Sequence, residues 1–324
     1  MRIIVTGLGG PAGTALATQL RDRGITTIGT DITDTPSAEL TSEFVIGPRA
    51  DDPAHLPFLR DLAASTRADL LIPTVQDELP AIASAATVIG VPTVIAHAGP
   101  VGIAQDKLLT AWALAAAGLP IPRTGTLGDA AWARPPFVVK PRVSRGGRGV
   151  LLVDGEADLP ALTPGEVVQE FAPGIEYSPQ VYRSPATGRT AVVVVEKTEL
   201  KQGRVGNAAA VVRLAPGEAP DVAALAAATV DALGLVGPVD MDIRRMADGR
   251  PVVLEVNARF GANSAYAPEL LSAVLAERDV WRRPVHLFGG GGGGGHTPAA
   301  GPAPLPGTHF GAAGALYASS GGAR

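Results

Sequence analysis

The chain has 324 residues, of which 46% are hydrophobic and 18% charged, with a net charge of −4 and no cysteine. That length holds two or three modules with cores of their own, and the charge makes no electrostatic case for nucleic acid. Disulfides, thiolate metal sites and a cysteine nucleophile are excluded, and with them glutamine hydrolysis by a thiol of this chain.

No apolar run reaches membrane-spanning length, and residues 1–5 break into glycines rather than a signal peptide. A soluble cytoplasmic protein with no membrane or nucleic-acid partner is therefore expected. The histidines (His55, His97, His286, His296, His309) share no metal-ligand spacing and read as surface or loop residues.

Residues 1–98 alternate strands (3–6, 26–31, 69–75, 93–96) with helices (from the turn at 7–13 to about 23, then 53–66 and 77–86), the rhythm of a parallel doubly wound sheet. The turn Gly7-Leu8-Gly9-Gly10-Pro11-Ala12-Gly13, with Asp31 ending the second strand, has the form of a dinucleotide fingerprint. The same glycines would serve equally to make a tight strand-to-helix turn. Residues 73–78 fall where such sheets place ligands.

Residues 99–104 read as a linker and 106–118 as an amphipathic helix with a C-terminal glycine, carrying Lys107 at the end its dipole does not favour. A strand over 136–142 contains Lys140 and runs into Ser144-Arg145-Gly146-Gly147-Arg148-Gly149, followed by a strand at 150–153. The backbone N–H groups of such a loop can fold over phosphates, although the Walker pattern is absent. Strands are expected at 178–183 and 191–196, a polar loop over 197–207, and a helix over 221–233. That loop holds Lys197, Lys201 and Arg204, which suit a polyphosphate or a carboxylate.

Residues 237–264 read as a hairpin turning at Asp248-Gly249. A two- or four-residue loop sets Asp242 opposite Glu255 and Asp240 opposite Asn257, whereas a three-residue loop would slip the register by one. Alternation then puts Glu255, Asn257 and Arg259 on one face and Val252, Leu254 and Val256 on the other. Facing carboxylates cost a sheet roughly 0.2–1 kcal/mol, so this pair beside an amide asks for a cation. An all-oxygen set suits Mg²⁺, which also holds substrate phosphates. A last helix is expected over 267–280. From residue 289 a run of seven glycines opens a tail of Ala, Pro, Gly and Ser. The tail is expected to be disordered, and its composition suggests a shifted reading frame that translation of the other frames would settle.

LEVNARFGANS preceded by VDMDIRRMADGRP, FVVKP before SRGGRG, and VVQEFAPGIEYS together resemble the ATP-grasp superfamily. The resemblance covers about residues 1–288. It is nearest the carbamoyl-phosphate-synthase-like branch, in which V-x-G-x-G-G-x-x-G opens the chain. It implies an α/β and α+β fold: a Rossmann-like domain at 1–98, a small ATP-binding subdomain at 99–168, and a larger subdomain with the metal site at 169–288. The segment 289–324 stays outside it.

The same resemblance implies ATP with Mg²⁺ or Mn²⁺, the metal held by Asp242, Glu255 and Asn257. Lys107 and Lys140 would contact phosphates beneath a lid containing Ser144, Gly146, Gly147 and Gly149. Glu170 and Phe171 would line the adenine hinge, Glu170 or Glu176 would take the ribose, and Lys197 and Arg259 would stabilise charge on the transferring group. The implied activity is an ADP-forming carboxylate–amine ligase with small-molecule substrates, and a homodimer is compatible with it. One grasp unit and no glutaminase set this chain apart from carbamoyl-phosphate synthase itself. Two rivals are an NAD-dependent oxidoreductase using the N-terminal turn, which leaves Lys140, Glu255 and Asn257 unexplained, and a non-catalytic ATP-binding protein.

Overall fold

The computed structural model describes residues 1–144, 146–155 and 163–281. The expectations for 289–324 and for Arg145 lie outside the described residues. Strands β1 (Arg2–Thr6), β2 (Thr26–Asp31), β3 (Glu43–Ile46) and β4 (Leu70–Ile72) form a parallel sheet in the order β3-β2-β1-β4. Ile3, Ile4, Val5, Leu71 and Ile72 are fully shielded from solvent, because helices cover both faces of such a sheet. Helix α1 (Pro11–Asp22) can lie this close to the sheet because residue 13 is glycine. A Cβ there would stand 2.3 Å from the Gly7 carbonyl oxygen and 2.7 Å from Leu8 Cα.

Four expectations for this half are corrected. The strand over 93–96 reduces to one bridge, Leu71 to Thr93, and β3 was not foreseen. The linker at 99–104 is instead helix α4 (Ala98–Gln105), which buries Val101 and Ala104. Gly-Pro reads as a breaker, yet a proline in a helix's first turn gives up no intrahelical hydrogen bond. His55 is no surface residue: it opens helix α2 (His55–Thr66), is buried, and stands 3.3 Å from the buried Glu78 carboxylate. The expected helix over 77–86 is a short 3-10 turn leading into α3 (Leu79–Ala85).

A second sheet is antiparallel, in the order β5 (Thr124–Gly125), β8 (Glu166–Glu170), β6 (Phe137–Pro141), β7 (Leu151–Val153). Phe137, Val139, Val153 and Val168 make its core. Helix α5 (Lys107–Ala116) is capped by Asp106, whose carboxylate accepts from Leu108 N and Leu109 N and binds Arg142 at 2.6 Å. That anion at the helix start offsets the poor placement of Lys107 against the dipole.

The third sheet has seven strands, running β11 (Thr190–Val193), β10 (Gln180–Arg183), β14 (Gly237–Arg245), β9 (Glu176–Tyr177), β12 (Val195–Gln202), β13 (Val205–Arg213), with β15 (Pro251–Asn257) also on β14. β9 and β10 follow one register along one edge of β14, and β15 takes the other. The polar loop expected over 197–207 is a correction: those residues form the β12–β13 hairpin. Its strands are mostly exposed, so their charges imitate a loop in sequence.

Helices α6 (Pro220–Ala232) and α7 (Pro268–Ala276) complete the described fold, α7 ending short of the expected 280. α6 packs Leu225, Ala226 and Val230 with Met241, Ile243 and Val256 of the β14–β15 pair. Just past β15, Phe260 is buried with Ile3, Val5, Leu16, Leu20 and Leu270, which ties the end of the hairpin to the N-terminal sheet.

Candidate active site

The β14–β15 pair sets Asp242 opposite Glu255 and Asp240 opposite Asn257, as expected, but by another route. Arg245 faces Pro251 and Arg244 faces Val252, so the turn has already slipped the register by one, as a three-residue loop does. A β-bulge at Leu254 then restores it before the acids. The expected face of Val252, Leu254 and Val256 is broken there, and Val253 joins Val256 in the core while Leu254 lines a cleft. The Leu254 carbonyl accepts from Lys140 Nζ at 3.0 Å.

Asp242 and Glu255 are each met by a buried lysine. Lys197 Nζ lies 2.7 Å from Asp242 Oδ1 and 2.6 Å from Glu176 Oε1, while Arg244 reaches Glu176 Oε2 at 3.4 Å. Lys107 Nζ lies 3.3 Å from Glu255 Oε1 and donates to the Ser144 carbonyl and hydroxyl. Burial pushes the Lys140 amine down to about 8, with Lys107 adding to the effect and Glu255 opposing it. Burial also pulls the Lys197 amine down, but Asp242 and Glu176 outweigh it and leave the group raised. The Glu176 carboxyl is held up by burial against the pull of Lys197.

One cleft is lined by Lys140, Gly146, Gly147, Glu170, Phe171, Glu176, Lys197, Asp242, Glu255, Asn257 and Arg259. Gly146, Gly147 and Gly149 have φ of 64°, 70° and 72°, a conformation the loop before β7 can take because side chains are absent. Lys107, Ser144 and Gly149 do not line that cleft: Lys107 and Ser144 bond each other, and Gly149 packs on Pro141. Phe171 carries the Arg204 and Arg244 guanidinium groups 4.5 and 5.1 Å from its ring centre. Glu170 is exposed at the end of β8, its carboxylate accepting from Arg123 N at 3.3 Å.

A second cavity, of about 780 Å³, opens at the carboxyl ends of β1, β2 and β4. Of residues 73–78, expected as a ligand rim, 74–78 line it along with Gly9, Gly10, Asp31 and Arg49, and Pro73 does not. Gly146, Asn207 and Arg259 line both cavities. Asp31 accepts from Gly9 N at 2.8 Å, which ties the end of β2 to the glycine turn. Sequence reasoning missed Asn207, concealed in a presumed loop, and Arg244 and Asn263, which carry no local signal.

Residues 104–263 match the family model for the ATP-grasp domain. The N5-carboxyaminoimidazole ribonucleotide synthases of Mycobacterium bovis and Mycobacterium tuberculosis are each 32% identical over 251 residues, which is 70% of this chain. The chain spans about half (55%) of the length of these curated relatives. Among solved structures, an L-amino acid ligase from Bacillus licheniformis superposes with a TM-score of 0.63 at 21% identity, over 82% of this chain and 68% of that one. The N5-carboxyaminoimidazole ribonucleotide synthetase from Thermotoga maritima gives 0.62 at 21% identity, over 80% and 68%.

Proposed function

Because the chain belongs to the ATP-grasp superfamily through its domain at residues 104–263, we propose that it is an ATP-dependent ligase. It activates a carboxylate as an acyl phosphate and joins it to an amine, releasing ADP and phosphate. The observation that carries this reading is the meeting of two cavities at Arg259, one walled by Lys140, Asp242 and Glu255 and the other by the ends of the N-terminal strands. A nucleotide in the first and an acceptor in the second would face each other across that guanidinium.

The donor set fits a hard divalent ion. Asp242 and Glu255 oppose each other across two strands, Asn257 is next on the same wall, and all three offer oxygen. Among the described residues no three His, Cys, Asp or Glu gather to hold a metal ion, so this set rests on two acids and an amide. Mg²⁺ or Mn²⁺ held by these residues would neutralise polyphosphate charge. Lys140 and Lys107 supply fixed positive charge beside the acids, and the Gly146–Gly147 backbone can cover phosphates. The end of β8 with Phe171 forms the wall for the base, and Glu170 or Glu176 takes the ribose.

In the reaction a carboxylate oxygen forms a bond to the γ-phosphorus as the bond to ADP breaks. The amine then attacks the acyl carbon and phosphate leaves. Lys197 and Arg259 stabilise the charge that develops, and no side-chain nucleophile takes part. In this reading the module at 1–98 takes the acceptor, and those at 99–168 and 169–288, with β8 crossing between them, take the nucleotide. The test is a screen of small carboxylic acids and amino acids with MgATP and hydroxylamine. A hydroxamate should appear with the correct acid and vanish in Glu255→Gln, whose melting temperature should match the wild type. A hydroxamate yield unchanged by Glu255→Gln would refute the assignment.

A further inference from the structure

Asp240 is 7% exposed, and a carboxylate shut away from water needs partners for both oxygens. Its Oδ1 accepts from Gln180 Nε2 at 2.6 Å and from Ser178 Oγ at 2.8 Å. Its Oδ2 lies 3.4 Å from Asn257 Nδ2 and 3.8 Å from Arg259 Nη1. Asn263 Nδ2 donates to the same Ser178 hydroxyl at 3.0 Å. The chain after Arg259 is pressed against this carboxylate: a Cβ on Gly261 would stand 2.3 Å from Asp240 Cγ. Arg259 is the cation of the network. Its Nη1 also donates to the Phe260 carbonyl at 2.8 Å, and its Nε is buried with no hydrogen-bond partner.

We propose that Asp240 is a positioning residue, which holds the Arg259 guanidinium and the Asn257 carboxamide at the junction of the two cavities. The proposal rests on the reading of Arg259 as the group that stabilises charge on the transferring phosphoryl. An arginine side chain has many rotamers, and a guanidinium turned in advance toward the developing charge needs no reorganisation during the reaction. Asp240 achieves this from the same cleft wall by anchoring one edge of the group, while Ser178 and Gln180 keep the carboxylate itself from rotating. A purely structural role would be met equally by asparagine, which has the same shape and can keep the Ser178 and Gln180 contacts once its amide is suitably turned.

The test compares Asp240→Asn, Arg259→Gln and the double variant by thermal melting and by the arginine Nε–H region of ¹⁵N spectra. The Arg259 signal is assigned by its absence in Arg259→Lys. In the wild type, the buried Nε–H should exchange slowly with solvent; in Asp240→Asn it should exchange at least tenfold faster. Arg259→Gln alone should lower the melting temperature, because it leaves a buried carboxylate without its counter-charge, and the double variant should recover most of that loss. If Asp240→Asn fails to fold by itself, the double variant still reports the coupling. Unchanged Nε–H exchange, additive melting shifts, or a double variant that unfolds while Arg259→Gln is stable would each overturn the proposal. Where turnover is measurable, Asp240→Asn should lower kcat at least tenfold with the KM for ATP unchanged. The spectral and melting readouts need no turnover, so an absence of ligase activity would count against the functional reading alone.

Discussion

Lys140 shows how burial turns an ordinary side chain into a pH-dependent one. The residue is 5% exposed, its ammonium donates to a backbone carbonyl, and burial pushes its pKa from 10.5 down to about 8. The folded protein therefore holds this proton less tightly than the unfolded chain. The stability linked to it is fully present above pH 10.5, and is lost as pH falls through about 8. Urea titrations should show this slope in the wild type and its absence in Lys140→Met. Nucleotide binding should run the other way, weakening as pH rises past 8 because phosphates prefer the ammonium. Isothermal titration with MgATP should show that decline flattened in Lys140→Met. At pH 7 the same variant should bind ATP about 1.5–3 kcal/mol more weakly, the scale of a charged hydrogen bond. Wild-type affinity would remove Lys140 from the nucleotide site.

At the scale of elements, the N-terminal glycine turn separates two uses of glycine. A methyl on Gly13 would meet backbone atoms at 2.3 and 2.7 Å, which α1 can relieve only by leaving the sheet. Gly24 follows the same helix with φ of 67° and has nothing within 4 Å of its would-be Cβ. Gly13→Ala should therefore cost about 2–4 kcal/mol by overpacking, against about 1 kcal/mol for Gly24→Ala. Chemical denaturation of the two variants checks the order, and equal costs would show that α1 is not held by close approach. The same turn explains why a dinucleotide pattern can mislead: glycine spacing records the helix–strand contact, not what lies above it. The β14–β15 pair teaches a related lesson. The facing of Asp242 and Glu255 was legible in the alternation, but the three-residue turn and the Leu254 bulge that together produce it were not. Two shifts of one residue cancel, and no local propensity reports either.

For the whole molecule, the decisive feature is the junction at Arg259. Phe260 is buried in the core that joins β1 and α1 to α7, so the residue before it is anchored between the N-terminal sheet and the β14–β15 wall. Arg259→Ala should suppress hydroxamate formation far more than ATP binding, since its partner charge arises during transfer. The nucleotide product should be ADP, with no AMP, because the charged groups gather where the terminal phosphoryl would meet an acceptor. Chromatography of the nucleotides decides this, and AMP formation would overturn the ligase reading proposed above.

The sequence by itself determined the alternating α/β order, the absence of thiol chemistry, the glycine-rich loop, and the acids and amide of the cleft wall. These follow from composition, period and short spacing, which are properties of contiguous residues. Only the tertiary structure decided which lysine meets which acid, that His55 is buried against Glu78, and that Asp240 meets Arg259. Lys140 and the Leu254 carbonyl are 114 positions apart, and Lys107 and Ser144 are 37 apart. No periodicity spans such distances. Those contacts exist because separate sheets pack to bury Phe260, Met241 and Leu16, and the polar groups near the packed faces must then find partners in one another.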